Sequence, residues 1–309
     1  MKMIAILGAN GRLANEAMQA FNNAAYKVIA VTRSGEVRDC PAGVETRAAD
    51  AMDAEQLIQA TEGADFIFNG LNPLYTKWDK MALPLAKNAL KAAKAHGAVH
   101  LFPGNVYNYG KSIPPHCDET TPFSADTKKG KIREQMEKLF ANEGDVKTVV
   151  LRAGDFYGGA GTGSWFDLSI VSKLSKGAFT YPGGLDVPHS WAYLPDLASA
   201  FVGVANRTES LPNFSQFMFA GHVMTGNEMK AHIEKATHRT LKTTGVPWLL
   251  LRIIGFVVPM LREVCEVAYL WDKPHRLDGT KLKDLVMPLQ ETPVEVAIKK
   301  SIEQLGFKG

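Results

Sequence analysis

The most restrictive feature of the sequence is an alternation of short apolar runs with longer segments of helical periodicity through the first 150 residues. The apolar runs predict strands at residues 3–7, 27–32, 43–48, 64–69, 98–102 and 146–152. The segments between them predict helices at residues 12–23, 54–61, 79–96 and 128–142. Strands that alternate with helices form βαβ units, whose strands lie parallel in one sheet covered on both faces. The predicted fold class is therefore α/β, with a doubly wound parallel sheet.

Beyond Arg152 the alternation is less regular. Four of the six residues of Gly158–Gly163 are glycine, which predicts a loop, and residues 214–220 predict one more strand. Most of the sequence after Gly226 predicts helices interrupted by prolines. We expect two parts, a sheet domain of residues 1–154 plus about 191–221, and a smaller, mostly helical lobe. This C-terminal lobe, of about 155–190 plus 222–309, is expected to cover the substrate.

The charge and cysteine content argue against several classes of protein. The net charge is +3 and the basic residues are scattered, so no nucleic-acid partner is expected. Three widely spaced cysteines are typical of the reducing cytoplasm, and the histidines lack metal-ligand spacing. The apolar stretch 246–261 contains Arg252 and is shorter than the ~20 residues of a membrane span, so no membrane contact is expected. It predicts a buried helix or a partner surface, for example in a homodimer.

The first predicted strand leads into a glycine turn, Gly8-Ala9-Asn10-Gly11-Arg12-Leu13-Ala14. Glycines at positions 8 and 11 permit a tight turn and a close approach of the backbone to a pyrophosphate. The helix that begins near Arg12 directs its free N–H groups at the same phosphate. A glycine turn between a first strand and a helix is the context of a Rossmann-type dinucleotide site. The expected cofactor contacts are Gly8, Asn10, Gly11, Arg12 and Leu13.

The end of the second predicted strand indicates which dinucleotide is favoured. An NAD site usually has an acidic residue about 20 residues after the glycines, whereas an arginine there accommodates a 2′-phosphate. This chain has Arg33, whose guanidinium can bind a phosphate through two parallel hydrogen bonds, and Arg12 is a candidate to assist it. The alternative is that Arg33 is a solvated loop residue and that Glu36 binds the ribose. We predict NADP(H) rather than NAD(H).

Four further segments complete a family pattern. They are Asp50-Ala51 after strand three, Asn69-Gly70-Leu71-Asn72 after strand four, Asp155-Phe156-Tyr157-Gly158 after strand six, and Tyr193-Leu194-Pro195-Asp196-Leu197-Ala198. Together with the glycine turn, they resemble the extended and atypical short-chain dehydrogenase/reductases over about residues 1–205. That group contains nucleotide-sugar epimerases and dehydratases, and the sequence is also similar to its NAD-dependent epimerase/dehydratase-like branch. The resemblance implies cofactor contacts from Asp50, Ala51, Asn69, Gly70 and Leu71.

The catalytic motifs of that family are altered here. Where the family has S-x-x-x-Y-G after strand five, this chain has Asn105 in place of the serine. The family's Y-x-x-x-K motif is matched to Thr127 and Lys131, which keeps the lysine and replaces the tyrosine. A threonine hydroxyl is far less acidic than a phenol and does not serve as an acid at neutral pH. We expect Lys131 to bind the nicotinamide ribose, with Asn105 and Thr127 as hydrogen-bonding groups of a catalytic site.

Other side chains are candidates for the substrate site. Tyr107 follows strand five, and Asp155 follows strand six, near the carboxyl edge of the sheet where ligands bind. His189 titrates near neutrality in its unperturbed form, and Asp155 becomes a candidate acid if burial raises its pKa. The expected substrate contacts are Asn72, Tyr107, Asp155, Trp165, His189 and Tyr193. Trp165 and Tyr193, together with Phe166 and Trp191, are equally well explained as ordinary core.

Two functional hypotheses follow from the sequence. The first is an NADP(H)-dependent oxidoreductase or epimerase-like enzyme that acts on a small-molecule or nucleotide-sugar substrate without the usual serine and tyrosine. The second is a protein that binds NADP(H) without turnover and regulates a partner according to the redox state of the cofactor.

Overall fold

The computed structural model describes residues 1–307. The bounds of its helices and strands, in chain order, are β1 Met3–Leu7, α1 Arg12–Asn23, β2 Lys27–Thr32, β3 Glu45–Ala48, α2 Ala54–Ala60, β4 Phe66–Asn69, α3 Trp78–His96, β5 Val99–Gly104, β6 His116–Cys117, α4 Lys128–Asn142, β7 Thr148–Arg152, β8 Asp155–Tyr157, β9 Ala178–Tyr181, β10 His189–Tyr193, α5 Leu194–Ala205, β11 Phe214–Met218, β12 His222–Met224, α6 Gly226–Thr237, β13 Lys242–Gly245, α7 Trp248–Ile254, α8 Pro259–Glu266, β14 Arg276–Leu277, α9 Thr280–Leu285 and α10 Val294–Gln304.

A seven-stranded sheet with the order β11-β7-β5-β4-β1-β2-β3 forms the centre of the molecule. Every pairing in it is parallel, and Leu7 at the end of β1 lies between Val31 of β2 and Asn69 of β4. The chain moves outward from β1 to β3 and then returns to β4 on the other side, so the strand order reverses next to β1. Ligands of such sheets bind at this reversal, outside the carboxyl ends of the strands. The predicted α/β fold is confirmed.

The two faces of the main sheet carry separate hydrophobic cores. On one face α3 and α4 pack against side chains such as Phe102 and Phe140, whose rings are 4.8 Å apart. On the other face α1 and α5 pack around Phe68 and Phe201, whose rings meet edge to face at 4.9 Å. These side chains are at most 1% exposed, and burial of each stabilises the fold by about 1.5–3 kcal/mol. Two covered faces explain why the strands are almost uninterrupted apolar runs.

The second half of the chain adds small sheets and a third core. Strands β8, β10 and β12 form one short sheet, while β9 pairs with β13 and β6 pairs with β14. The third core includes Tyr157, Trp191 and Trp271, each at most 2% exposed. Strand β11 extends the main sheet and α5 packs against α1. Residues 308–309, the end of the predicted covering lobe, lie outside the described residues, and the division into two parts stays a prediction.

The structure contradicts one of the two predictions made for the apolar stretch 246–261. It forms α7, a turn at residues 255–258 and the first residues of α8, and α7 has no buried residue. The prediction of a buried helix is therefore wrong, because the hairpin projects from the lobe instead of crossing a core. Among the described residues, no helix has the length and apolar character needed to cross a membrane.

Candidate active site

The glycine turn after β1 is packed too tightly for side chains. Gly8 has φ +69°, and a Cβ there would lie 3.2 Å from the carbonyl oxygen of Gly70. A Cβ on Gly70 would in turn lie 2.7 Å from the Cβ of Ala14. The N–H of Gly11 donates to the carbonyl of Gly8 at 2.8 Å, which closes the turn. The end of β4 therefore rests directly on the start of α1, as a Rossmann-type turn requires.

The first turn of α1 has the properties of an anion site. Gly11 is its N-cap and contributes no side-chain hydrogen bond, and the first turn contains no acidic residue. The N–H groups at a helix start have no partner within the helix, and the helix dipole adds positive potential there. The pyrophosphate of a dinucleotide fits this position because it is an anion with several acceptor oxygens.

The Arg12 side chain points away from the loop after β2. Its Nη1 donates to Oδ1 of Asp167 at 2.8 Å, and its Nη2 donates to the carbonyl of Gly158 at 2.6 Å. One turn further along α1, Oε1 of Glu16 accepts a hydrogen bond from the N–H of Ala160 at 3.1 Å. The structure therefore does not bring Arg12 together with Arg33. Instead, Arg12 and Glu16 fasten the glycine-rich loop to the start of α1.

The loop after β2 is held beside the glycine turn by Asn10. Its Nδ2 donates to the carbonyl of Glu36 at 2.9 Å, and its Oδ1 accepts from the N–H of Arg38 at 2.8 Å. The Arg38 guanidinium reaches back to the carbonyl of Asn10 at 2.7 Å. Arg33 is exposed, and within residues 1–307 its side chain makes no hydrogen bond or ion pair. Arg33 was predicted from the sequence as a phosphate ligand, whereas Arg38 was not.

The residues predicted to line the adenine and nicotinamide sides lie after β3 and β4. The Asp50 carboxylate accepts from the N–H of Met52 at 3.0 Å, and the Ala51 carbonyl accepts from Asn88 at 3.0 Å. Leu71 is half-buried, Asn72 is exposed, and the N–H of Leu71 donates to Oδ1 of Asn69 at 3.3 Å.

Asn69 is tied into the sheet instead of pointing freely into the cleft. It is 2% exposed, and its Nδ2 lies 3.1 Å from Nε2 of His100. Burial lowers the pKa of His100 to about 3, so the ring is neutral and Nε2 accepts from the amide. The other ring nitrogen of His100 lies 3.2 Å from the Thr148 hydroxyl. Asn69 therefore orients the segment that follows β4.

Asn105 and Thr127 both act as capping residues. Oδ1 of Asn105 accepts from the N–H of Tyr107 at 3.1 Å, at the start of a 3₁₀ turn over residues 106–112. Oγ1 of Thr127 accepts from the N–H of Gly130 at 3.1 Å, which caps α4. These bonds satisfy free N–H groups at the starts of helical turns.

The predicted pair Thr127 and Lys131 is not the pair on the inner face of α4. Lys131 is exposed, whereas Lys129 is fully buried and Arg133 is 9% exposed. Residues two apart on a helix differ by about 200° in direction, so Lys131 points away from the side that Lys129 occupies. The geometry therefore gives no support to Lys131 as a cofactor ligand. A second pair with the same spacing of four, Lys129 and Arg133, faces inward.

Lys129 lies in a buried ion cluster. Its Nζ is 2.5 Å from both Oε2 of Glu263 and Oε2 of Glu266, which belong to α8. It also lies 5.0 Å from the centre of the Tyr75 ring. The Arg133 guanidinium donates to the carbonyl of Pro103 at 3.1 Å and stacks 5.1 Å from the rings of Trp78 and Phe102. Lys129 is therefore paired with two carboxylates of α8, while Arg133 is bound to the backbone of β5.

Asp155 and His189 form a hydrogen-bonded pair across β8 and β10. Nε2 of His189 lies 2.7 Å from Oδ2 of Asp155, and the His189 ring stacks on Trp271 at 4.4 Å. The side chain of His189 is 2% exposed and that of Asp155 is 21% exposed. The neighbouring His275 ring is 4.5 Å away, and burial followed by the charge of His189 lowers the pKa of His275 to about 3. Asp155 is therefore the member of the pair that reaches the cleft.

Tyrosines complete the inner wall. The hydroxyls of Tyr75 and Tyr107 are 2.8 Å apart, and burial raises the pKa of both residues, so both phenols are neutral. The ring of Trp165 meets the ring of Trp271 edge to face at 5.3 Å, and Trp271 is the residue on which His189 stacks. Tyr193, in contrast, lines a separate cavity of about 300 Å³ with His222 and Gln290. The structure thus brings together Tyr107, Asp155 and His189 of the predicted substrate set, but not Tyr193.

The site lies at the carboxyl edge of a sheet that known proteins share. The model of the NmrA-like family matches residues 1–305. The chain belongs to the NmrA-like family. Its structure is similar to UDP-galactose 4-epimerase, at 16% identity, 99% of each chain covered and a TM-score of 0.74. It is also similar to UDP-glucose 4-epimerase from Bifidobacterium longum in complex with NAD+ and UDP, at 17% identity, 99% of this chain and 98% of that chain covered, and a TM-score of 0.75.

A third solved structure gives the same result. UDP-glucose 4-epimerase from Brucella ovis in complex with NAD is 12% identical over 97% of both chains, with a TM-score of 0.75. Among the curated proteins, none matches. The resemblance to the extended and atypical short-chain dehydrogenase/reductases is confirmed by the family and by the shared fold.

In this NmrA-like protein, the inward-facing pair of α4, Lys129 and Arg133, was not predicted from the sequence. These two residues have the same spacing as the family's Y-x-x-x-K motif and lie two positions after Thr127 and Lys131, which were matched to that motif. One turn beyond Arg133, the buried Glu137 makes an ion pair with Arg152 at 2.5 Å. The spacing of Lys129, Arg133 and Glu137 by four was the available signal, because residues four apart share a helix face.

A cavity of about 540 Å³ lies where α4 begins and α8 ends. Its walls include Thr127, Glu266 and Tyr269, and toward its outer side Trp248 and Arg252. The volume suits a small molecule, and hydrophobic and polar groups converge in it. Acidic, cationic and phenolic side chains line this cavity and can bind a polar substrate, but its lining includes neither the glycine turn nor Asp155.

Proposed function

We propose that this NmrA-like protein is an NADP(H)-dependent oxidoreductase that reduces a carbonyl group of a small molecule or oxidises the corresponding alcohol. The observation that carries the proposal is that the start of α1 has no side-chain cap and lies beside the loop after β2. That loop contains Arg33 and Arg38 and is held in place by Asn10. The free N–H groups suit the pyrophosphate of a dinucleotide. The related epimerases from Brucella ovis and Bifidobacterium longum have NAD in their solved structures, which supports a dinucleotide here.

Preference for the 2′-phosphate form rests on two guanidinium groups. Arg33 is exposed and without a partner among residues 1–307, and Arg38 lies next to Asn10 on the same loop. A guanidinium binds two oxygens of one phosphate through two parallel hydrogen bonds. A ribose hydroxyl has a single oxygen and no charge, so it forms a weaker contact with the same side chain. Glu36 lies between them in sequence, and its carbonyl, not its carboxylate, accepts from Asn10. The local charge of the loop therefore favours NADP(H) over NAD(H).

Proton transfer is assigned to Asp155 and His189. Hydride transfer to a carbonyl carbon leaves an oxygen that needs a proton, and the reduced nicotinamide supplies only the hydride. Neither Asn105 nor Thr127 carries a proton that it can release at neutral pH. Asp155 is partly exposed toward the cleft, and His189 stands directly behind it at 2.7 Å. A proton held between them passes from Asp155 to the substrate oxygen, and water restores it.

Tyr107 and Lys129 have supporting roles in this proposal. The Tyr107 hydroxyl, neutral and bonded to Tyr75, donates to the substrate oxygen without ionising. Lys129 is paired with both Glu263 and Glu266, so its role is to hold α8 against α4 and not to add net positive charge at the substrate oxygen.

Calorimetric titration of cofactor-free protein tests the cofactor part. We expect NADP+ and NADPH to bind more tightly than NAD+ and NADH, and Arg33→Ala and Arg38→Ala each to weaken only the phosphorylated forms by about 10-fold or more, since a charge-assisted bond contributes about 1.5–3 kcal/mol. Arg239→Ala, another exposed arginine far from the loop, is the matched control. Equal affinity for NAD(H) and NADP(H) would contradict the assignment of the loop.

Turnover is tested by absorbance at 340 nm with a panel of carbonyl substrates and NADPH. Asp155→Asn is expected to lower kcat by about 100-fold or more, the usual contribution of a general acid, with unchanged cofactor affinity. Asp284→Asn, at an exposed position, is the control. Cofactor binding without turnover of any substrate would favour the second hypothesis, that of a cofactor-sensing regulator. The ion pairs of Lys129 with Glu263 and Glu266 also agree with that hypothesis, because they engage the ammonium group in structural contacts.

A further inference from the structure

Within residues 1–307, the exposed large apolar side chains are concentrated in the hairpin formed by α7, the turn at 255–258 and the start of α8. We call residues 246–262 the α7–α8 hairpin. Its exposed large apolar residues are Leu249, Leu250, Ile253, Ile254, Phe256, Val257 and Val258. Phe256 and Val257 at the tip are 88% and 83% exposed, so the surface is a projecting point and not a flat patch. A contiguous apolar surface of this kind marks an interaction site.

The charges of the hairpin all have one sign. Between residues 246 and 262 the only charged residues are Arg252 and Arg262, and both are exposed. The next residue, Glu263, turns inward to Lys129, as does Glu266. Nε of Arg262 also lies 3.8 Å from Oε1 of Glu263, so the charge of Arg262 is partly compensated, whereas Arg252 has no ion pair among the described residues. The outer surface of the hairpin therefore combines an apolar tip with two exposed guanidinium groups.

From this arrangement we propose that the α7–α8 hairpin docks the protein on the surface of an anionic membrane, with Phe256 and Val257 inserted among the acyl chains. Apolar side chains at a tip with flanking arginines are the features by which short helices bind a lipid interface, since burial supplies affinity and the cations meet acidic headgroups. This docking requires no membrane-spanning helix. It revises the sequence-based expectation that the protein makes no membrane contact.

A second copy of the chain fits the hairpin less well. A two-fold symmetric interface brings the same surface of both chains together. Arg262 of each copy is partly compensated by Glu263, but the two Arg252 side chains would approach each other without a paired carboxylate, and like charges oppose such an interface. An anionic lipid surface satisfies both the apolar and the cationic residues.

The base of the hairpin is firmly attached, so the tip is presented in a defined direction. Nε1 of Trp248 donates to the carbonyl of Pro182 at 2.6 Å, and its ring packs on Trp165 at 5.7 Å. At the other end, Glu263 and Glu266 hold α8 against Lys129. Because Trp248 and Arg252 also line the 540 Å³ cavity, docking places the outer side of that cavity close to the lipid headgroups.

Vesicle flotation of the full chain tests the proposal. We expect binding to vesicles of phosphatidylcholine and phosphatidylglycerol, weaker binding to phosphatidylcholine alone, and release by high salt. Phe256→Asp with Val257→Asp is expected to weaken binding by about 100-fold, which corresponds to about 2.8 kcal/mol. Leu168→Asp is the matched control, because Leu168 is 64% exposed outside the hairpin. Arg262→Gln is expected to reduce the preference for the anionic vesicles.

Circular dichroism of the double variant verifies that it remains folded, which its exposed positions allow. The proposal is overturned if the wild-type chain stays with the aqueous fraction, or if the double variant floats as well as the wild type. It is also overturned if size-exclusion chromatography with light scattering gives a wild-type dimer that the tip substitutions dissociate, since the hairpin then binds a second copy. Cofactor titrations without lipid are independent of each of these outcomes.

Discussion

Substitution of Lys129 by methionine tests the inward face of α4 most directly. Methionine keeps the volume and removes the cation, which leaves Glu263 and Glu266 with side-chain exposures of only 12% and 21%. Removing one partner of a buried ion pair costs about 3–5 kcal/mol, because an uncompensated charge remains. Arg262 lies 3.8 Å from Glu263 and Glu266 is partly solvated, so the lower end of that range applies. We expect Lys129→Met to lower the free energy of unfolding by about 3 kcal/mol.

Urea unfolding followed by circular dichroism measures this change. Lys131→Met is the matched control two residues away, and as an exposed position it is expected to change stability by less than about 0.5 kcal/mol. Adding Glu263→Gln and Glu266→Gln to Lys129→Met should restore much of the loss, because no unpaired charge remains. The reasoning is refuted if Lys129→Met and Lys131→Met have equal effects, since the register of α4 would then differ.

Two further predictions concern the sheet. Gly70→Ala is expected to destabilise the fold by about 1–3 kcal/mol and to weaken dinucleotide binding. The reason is that the new Cβ would lie 2.7 Å from the Cβ of Ala14 and would displace the glycine turn. Unchanged urea unfolding and unchanged cofactor titration would contradict this prediction. The pKa of the His100 ring is lowered by burial to about 3, below its value in the unfolded chain, so stability is expected to fall as the pH decreases from about 6.5 toward 3. The loss should reach roughly 2 kcal/mol at pH 5, and His100→Gln should reduce this pH dependence; a variant with the same pH profile as the wild type would exclude His100 as the source.

The main sheet could be predicted from the sequence because its signals are local. Helices α1 and α4 and strands β1 and β2 have the bounds that were predicted, and the other strands of the main sheet differ by one or two residues at one or both ends. Each strand is buried on both faces, so its composition alone distinguishes it from the amphipathic helices around it. The glycine turn is equally local, since the residues that make it tight lie next to one another in the chain.

The site could be predicted only in part, because partners distant in the chain determine it. Thr127 with Lys131 and Lys129 with Arg133 have the same spacing of four, and in the sequence the second pair differs by its continuation to Glu137 on the same helix face. Glu263 and Glu266, more than 130 residues away, form ion pairs with Lys129 and thereby distinguish them. No pattern near α4 identifies these two distant partners of Lys129.

The Arg12 contact has a consequence for how sequences of this family vary. Asp167 is 1% exposed at its side chain, and it accepts hydrogen bonds from Arg12 and from Ser164. A relative that replaced only the arginine would keep a carboxylate buried without its cation, which is strongly unfavourable. Substitutions at positions 12 and 167 are therefore expected to occur together in an alignment of relatives. Because Arg12 belongs to the glycine turn and also binds the glycine-rich loop at Gly158, we expect these two segments to change together among relatives.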